Sequence, residues 1–138
     1  MLESSIKSEK EVCERILVID DERRICESLS ALLAGSGYEV VTFQDSDNAA
    51  REIRSGHFDL IISDIKMPGM TGIDILRLAR KVDPSALVIL MTGYGSLETA
   101  VGAINEGAYD YLLKPVEFPQ LELVVKRGLE KRRLGRAK

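Results

Sequence analysis

Short runs of four or five apolar residues alternate along this chain with longer stretches whose apolar residues recur every three or four positions. Ile16-Leu17-Val18-Ile19 is rich in β-branched residues, too short for a helix and stopped by Asp20-Asp21, which predicts a buried parallel strand. From Glu22 the spacing changes. Ile25, Leu29, Leu32 and Leu33 fall on one helical face, and Gly35-Ser36-Gly37 ends the helix. Residues 38–43 read as a second strand and 45–55 as a helix with Ala49, Ala50 and Ile53 inward.

The cycle then repeats three times. Residues 60–63 form a strand ending at Asp64, Lys66-Met67-Pro68-Gly69 a loop, and residues 72–81 a helix. Residues 87–91 form the fourth strand. Ser96 is the predicted N-cap of a helix with Leu97, Ala100, Val101 and Ile104 on one face, closed by Gly107. Residues 109–113 are the fifth strand, Lys114-Pro115 the break, and a last helix runs from about Phe118 to beyond Lys131. Such alternation implies an α/β fold: a doubly wound, five-stranded parallel sheet covered on both faces, with right-handed crossovers. The expected strand order is 2-1-3-4-5, the flavodoxin-like one, which puts ligands at the carboxyl ends of the strands.

That rule selects Asp20 and Asp21 after strand 1, Asp64 after strand 3, Thr92 after strand 4 and Lys114 after strand 5. Strands 1 and 3 are neighbours in this order, so three carboxylates share one crevice and repel unless a cation joins them. Mg2+, commonly held by one or two carboxylates together with phosphate and water, fits that need. Thr92 offers a hydroxyl, and Lys114 a mobile positive charge for a phosphate oxygen. An aspartate in such company is equipped to accept a phosphoryl group. Any one of these residues alone is ordinary, since Asp is common in turns and Lys-Pro in breaks.

The runs Ile16–Glu22, Asp64–Gly72, Met91-Thr92-Gly93-Tyr94-Gly95 and Tyr109–Pro115 together resemble the receiver domains of bacterial two-component response regulators, over roughly residues 15–130. The resemblance implies a phospho-acceptor at Asp64 and Mg2+ held by Asp20, Asp21, Asp64 and the backbone carbonyl of Lys66. It also implies phosphate binding by Thr92 and Lys114, a switch pair of Thr92 and Tyr111, and a cis Lys114–Pro115 peptide that aims the lysine. Lys66 and Tyr94 occupy positions that tune dephosphorylation in such domains, and Tyr94 could gate the site. The implied partner is a histidine kinase. The implied response is a change in the surface of helix 4, strand 5 and helix 5, with a homodimer through that surface or through the lengthened last helix. The segments Thr92-Gly93-Tyr94-Gly95-Ser96 and Gly107-Ala108-Tyr109-Asp110-Tyr111 look most like those of NtrC-type transcriptional regulators, which implies a downstream output domain; a stand-alone receiver that docks on a partner is the alternative.

Of the 138 residues, 45% are hydrophobic and 30% charged, ordinary for one globular domain. Residues 1–14 read as a flexible lead-in, 15–130 as the domain and 131–138 as a basic helix end or linker. The net charge of −3 hides an asymmetry: residues 126–138 hold seven Lys/Arg against Glu130, leaving 12 basic and 21 acidic side chains in residues 1–125. An acidic body argues against direct nucleic-acid binding. The basic end reads as a solvated helix end. No apolar run approaches the ~18–20 residues of a membrane span, and the first residues lack a secretory pattern. A cytoplasmic location follows as the expectation, with Cys13 and Cys26 as free thiols. His57, the single histidine, lies far in the topology from Asp64.

Two rivals fare worse. A haloacid-dehalogenase-like phosphatase needs a second aspartate two residues after the first, where this chain has Lys66. A flavin mononucleotide carrier would have its phosphate repelled by Asp20-Asp21-Glu22. The expectation is therefore a regulatory domain, not an enzyme.

Overall fold

The five apolar runs are five parallel strands in the computed structural model, which describes residues 13–93 and 97–136. They are β1 (Arg15–Ile19), β2 (Glu39–Phe43), β3 (Leu60–Asp64), β4 (Leu87–Thr92) and β5 (Asp110–Leu113). Between and after them lie α1 (Arg23–Gly35), α2 (Ser46–Ser55), α3 (Gly72–Val82), α4 (Leu97–Asn105) and α5 (Phe118–Arg136). The sheet order is β2-β1-β3-β4-β5, as the sequence predicts. Register is continuous across the centre: Ile19 pairs with Ser63, Asp64 with Met91 and Thr92 with Leu113. The strands thus end nearly level, and their polar last residues come together.

Side-chain alternation divides the core into two layers. On one face Leu17, Ile19, Ile61, Val88 and Leu90 pack with Ala49, Ile53, Ile75, Leu76 and Ala103 of α2, α3 and α4. On the other, Ile16, Val18, Leu60, Ile62, Ile89 and Leu112 pack with Leu29, Leu33, Leu121, Val125 and Leu129 of α1 and α5. Because β1, β3 and β4 are covered on both sides, they read as continuous apolar runs.

The helix ends follow local chemistry. Asp45 caps α2 by accepting from the Asp47 N–H at 3.0 Å. Thr71 and Asp74 form a reciprocal capping box on α3. Gly37 and Gly107, after α1 and α4, have φ of +98° and +107°, the left-handed conformation that glycine adopts without a Cβ penalty. Pro119 sits in the first turn of α5, where its missing N–H leaves no bond unmade.

Two features add to the pattern seen in the sequence. The apolar stripe of α4 does not face the sheet: Val101 and Ile104 are 49% and 46% exposed, whereas Ala103 is buried. A thin helix side made of alanine lets α4 lie close to the sheet, leaving the larger side chains outside. Its far end is tied to α3 by Arg77, which donates to both carboxylate oxygens of Glu106 at 3.2 and 2.7 Å. Second, the basic end is not simply solvated. Arg132 is buried, 6% exposed, and paired with Asp59 and Asp83. The predicted Ser96 cap and the Tyr94 gate lie outside the described residues.

Candidate functional site

Each predicted side chain is placed by the end of its strand. Asp20 follows β1, and its backbone N–H is still held in the sheet by the Phe43 carbonyl at 3.2 Å. Its side chain then turns the chain, with Oδ1 accepting the Glu22 N–H at 2.8 Å. Asp64 is the last residue of β3 and buried, 6% exposed. The chain beyond it stays fastened, since the Ile65 N–H donates to Met91 at 2.9 Å and the Gly72 N–H donates to Ile65 at 2.9 Å. Thr92 ends β4 fully buried, and its carbonyl accepts the Lys114 N–H at 2.9 Å. The Lys114–Pro115 peptide is cis.

One carboxylate oxygen from each of Asp20, Asp21 and Asp64 lies within 4.8 Å of the others. Asp20 is fully buried while Asp21 is exposed, so the cluster opens to solvent on one side. The Lys114 ammonium reaches in from β5. It donates to Asp64 Oδ2 at 3.1 Å and lies 2.7 Å from Asp20 Oδ2 and 3.5 Å from Glu22 Oε1. Burial raises the Asp20 carboxyl above its ordinary range, against the Lys114 ammonium and the Glu22 N–H, with the Asp64 charge adding to the rise. For Lys114, burial is the largest influence and disfavours the ammonium, but the two carboxylates together outweigh it and hold its pKa up. Asp20 Oδ2 is buried without an aligned donor among the described residues. Three carboxylates this close, two of them buried, are a donor set that an oxygen-seeking divalent cation satisfies, so the cluster fits Mg2+.

Tyr111 lies on the sheet face opposite Leu112, packed against the α2–α3–α4 layer. Its hydroxyl is buried with no partner among the described residues, and burial raises the phenol pKa. The structure therefore brings together Asp20, Asp21, Asp64 and Lys114, puts Thr92 at the adjacent strand end, and places Tyr111 one layer away. Lys66 follows Asp64 by two residues in an exposed loop.

The family profile of the response regulator receiver domain matches residues 16–126. The chain belongs to that family. The receiver is 42% identical over 120 residues to the transcriptional regulatory protein ZraR of Klebsiella oxytoca, covering 87% of this chain and 27% of that protein. It is 37% identical over 123 residues to the nitrogen assimilation regulatory protein NtrX of Azorhizobium caulinodans, covering 88% and 27%. The chain thus spans about a quarter of the length of these curated relatives. Among solved structures, a receiver domain protein from Methanospirillum hungatei superposes with a TM-score of 0.85 at 35% identity, covering 89% of this chain and 98% of that one. The beryllofluoride-activated NtrC4 receiver domain dimer superposes at 0.81 with 37% identity, covering 86% and 98%. The resemblance to NtrC-type receivers expected from the motifs is therefore present across the whole fold.

Three residues of the receiver site were not legible as such. Gly72 begins α3 so close to the end of β3 that a Cβ there would lie 2.5 Å from the Asp64 carbonyl oxygen and 2.8 Å from Ile65 Cα. A glycine directly after a capping threonine was the available signal. Ser46 is buried and donates to the Pro68 carbonyl at 3.1 Å, pinning the loop after Asp64 to the start of α2. Glu22 adds a third carboxylate near Lys114, at 3.5 Å.

Proposed function

We propose that this receiver is a phosphorylation-dependent switch that takes a phosphoryl group on Asp64 from the phosphohistidine of a histidine kinase. The observation that carries the reading is the Lys114 ammonium, 3.1 Å from Asp64 Oδ2 and 2.7 Å from Asp20 Oδ2, beside a cluster of three carboxylates. An Asp64 oxygen attacks phosphorus, the P–N bond to the donor imidazole breaks with its electron pair staying on nitrogen, and an O–P bond forms. Asp20 and Asp21, with Asp64 and the Lys66 carbonyl, are the groups that would hold Mg2+, which supplies charge neutralisation for the transferring phosphoryl oxygens. Lys114 moves from carboxylate to phosphate oxygen, a change that a flexible point charge accommodates. Burial of Asp64 limits water near the product. Without a second carboxylate at position 66 the chain lacks a built-in acid–base for rapid turnover, so the domain regulates and is not an enzyme in its own right.

The response runs through Thr92 and Tyr111. The phosphate adds about two negative charges and three acceptors beside Thr92, and this biases an equilibrium between two arrangements of α4 and β5. Val101, Ile104 and Leu113, all large, apolar and exposed, form the surface that changes and through which a homodimer forms. The similarity to ZraR and NtrX supports a transcriptional output located outside this receiver, in the cytoplasm, with no nucleic-acid contact by the acidic body itself.

The test is labelling with acetyl phosphate or phosphoramidate in the presence of Mg2+. One labile phosphate per chain is expected in the wild type and none in Asp64→Asn; wild-type labelling of Asp64→Asn would sink the reading. Sedimentation with and without beryllofluoride tests the dimer, and an unchanged monomer in both conditions counts against it.

A further inference from the structure

A second buried carboxylate sits at the end of the sheet opposite Asp64. Asp59, 7% exposed, immediately precedes β3. Its Oδ2 accepts the Arg15 N–H at 2.9 Å. Its Oδ1 accepts from Arg132 Nη1 at 2.5 Å and lies 3.2 Å from His57 Nε2. Arg132 comes from the last turns of α5, beyond residue 126 where the family match stops. Its remaining donors are used too: Nε bonds the Ser85 carbonyl at 3.1 Å, and Nη2 lies 3.3 Å from Asp83 Oδ2. The next residue, Arg133, donates to Glu14 at 2.9 Å. Two consecutive arginines therefore tie the end of α5 to the segments that lead into β1, β3 and β4.

Packing supports the same attachment. Leu129, one turn earlier, is fully buried. Gly128 lets the helix axis come close: a Cβ there would meet the Tyr109 ring at 3.1 Å and Leu87 at 3.2 Å. A surface arginine on a frayed helix end would keep its hydration and its rotamer freedom. Arg132 has given up both, with a side chain only 3% exposed. Withdrawing it leaves Asp59 as a buried carboxylate without its cation, which is costly.

We infer that Arg132 is a strap that makes the last turns of α5 a docked part of the folded domain, so that the ordered unit runs through at least Arg133, at the end of the strands opposite Asp64. Earlier in the helix Leu121 and Val125 are fully buried, so α5 is packed from its second turn to its last ones. The inference does not depend on the chemistry at Asp64.

Amide hydrogen exchange on the full chain, comparing wild type, Arg132→Ala, Arg132→Lys and Asp83→Asn, tests it. In Arg132→Ala the unfolding equilibrium constant should rise by roughly a hundredfold or more. Amides 129–136 should also exchange at least about tenfold faster than in wild type under native conditions, ahead of the strands, as a segment released locally. Lysine, which lacks the fork, should recover only part of the protection. Should Arg132→Ala fail to fold, Asp83→Asn, which leaves the Asp59 pair in place, should still speed exchange in 129–136 by a smaller factor. Wild-type exchange of the helix end in a folded Arg132→Ala, whether or not global stability falls, would overturn the strap, as would wild-type exchange in Asp83→Asn if only that variant folds.

Discussion

Replacing Gly72 with alanine should damage the receiver, although the same change inside a helix ordinarily helps. Alanine is favoured over glycine in helices by up to ~1 kcal/mol, and Gly72 opens α3 with no positive φ to protect. Against this, the new methyl would stand 2.5 Å from the Asp64 carbonyl oxygen, about 0.9 Å inside the 3.4 Å where ordinary contact begins. Neither partner is the flexible end of a side chain. Both are main chain, held by the Ile65 bond to Met91 and the Gly72 bond to Ile65. Overpacking of this kind costs about 1–3 kcal/mol, so a net loss of ~1–2 kcal/mol is expected in urea unfolding. Displacing the Asp64 main chain by several tenths of an ångström also approaches the ~0.5 Å tolerance of a preorganised site, so acetyl phosphate labelling should slow by about tenfold or more. Gly102, within α4, is the internal control. Nothing lies within 4 Å of a Cβ there, so Gly102→Ala should stabilise by about 0.5–1 kcal/mol. If Gly72→Ala proves as stable as wild type and labels at the same rate, the close approach of α3 to the acceptor strand is wrong.

Other outcomes follow from the same geometry. Asp20→Asn, in chelator, should gain stability relative to wild type as pH rises from below 4 to 7. Burial raises the Asp20 carboxyl above 3.8, so its favourable contribution is complete below that value and is lost as pH climbs through the raised native value. Adding Mg2+ should raise the melting temperature of the wild type and leave that of Asp20→Asn nearly unchanged; an equal response of both would remove Asp20 from the metal site. Tyr111→Phe deletes a buried hydroxyl with no partner among the described residues, so it should stabilise the protein by about 1 kcal/mol while weakening the coupling of phosphorylation to dimer formation. Lower stability of Tyr111→Phe in thermal melts would mean that the hydroxyl is bonded after all.

The sheet and its order could be read directly because β1, β3 and β4 are buried on both faces and flanked by helices of helical period, a pattern that few other topologies produce. The site followed from the sheet, since level strand ends bring Asp20, Asp64, Thr92 and Lys114 together whatever the side chains do. What periodicity could not resolve was orientation where both choices offer an apolar face. In α4 the stripe of Val101 and Ile104 and the alanine side compete for the sheet, and close approach favours the alanines. Arg132 was hidden for a different reason. In a run of basic residues nothing local separates the guanidinium that meets Asp59 from those in water, because its partner lies 73 residues away. The Gly72 contact is similarly invisible, since the length of the loop after Asp64 leaves open how closely the chain returns.

The two ends of β3 show why the cations differ. Asp64 and Asp59 side chains are buried alike, 8% and 9% exposed, and each is paired with a long basic residue. At Asp59 that residue is arginine, 3% exposed, with donors on Asp59, Asp83 and Ser85. A fixed planar fork suits a charge that never changes. At Asp64 it is lysine, 15% exposed, shared with Asp20 and within reach of Glu22. A compact ammonium on a flexible stem follows its counter-charge as that charge moves, and it leaves lone pairs of Asp64 free for other partners. Had the two been exchanged, the arginine fork would hold Asp64 in place and oppose the change in charge that the proposed phosphorylation brings, while a lone ammonium at Asp59 would leave Asp83 Oδ2 and the Ser85 carbonyl without the bonds that Arg132 gives them. Under the proposed function, the choice of cation at each end thus separates the part of the strand that responds to phosphorylation from the part that stays fixed.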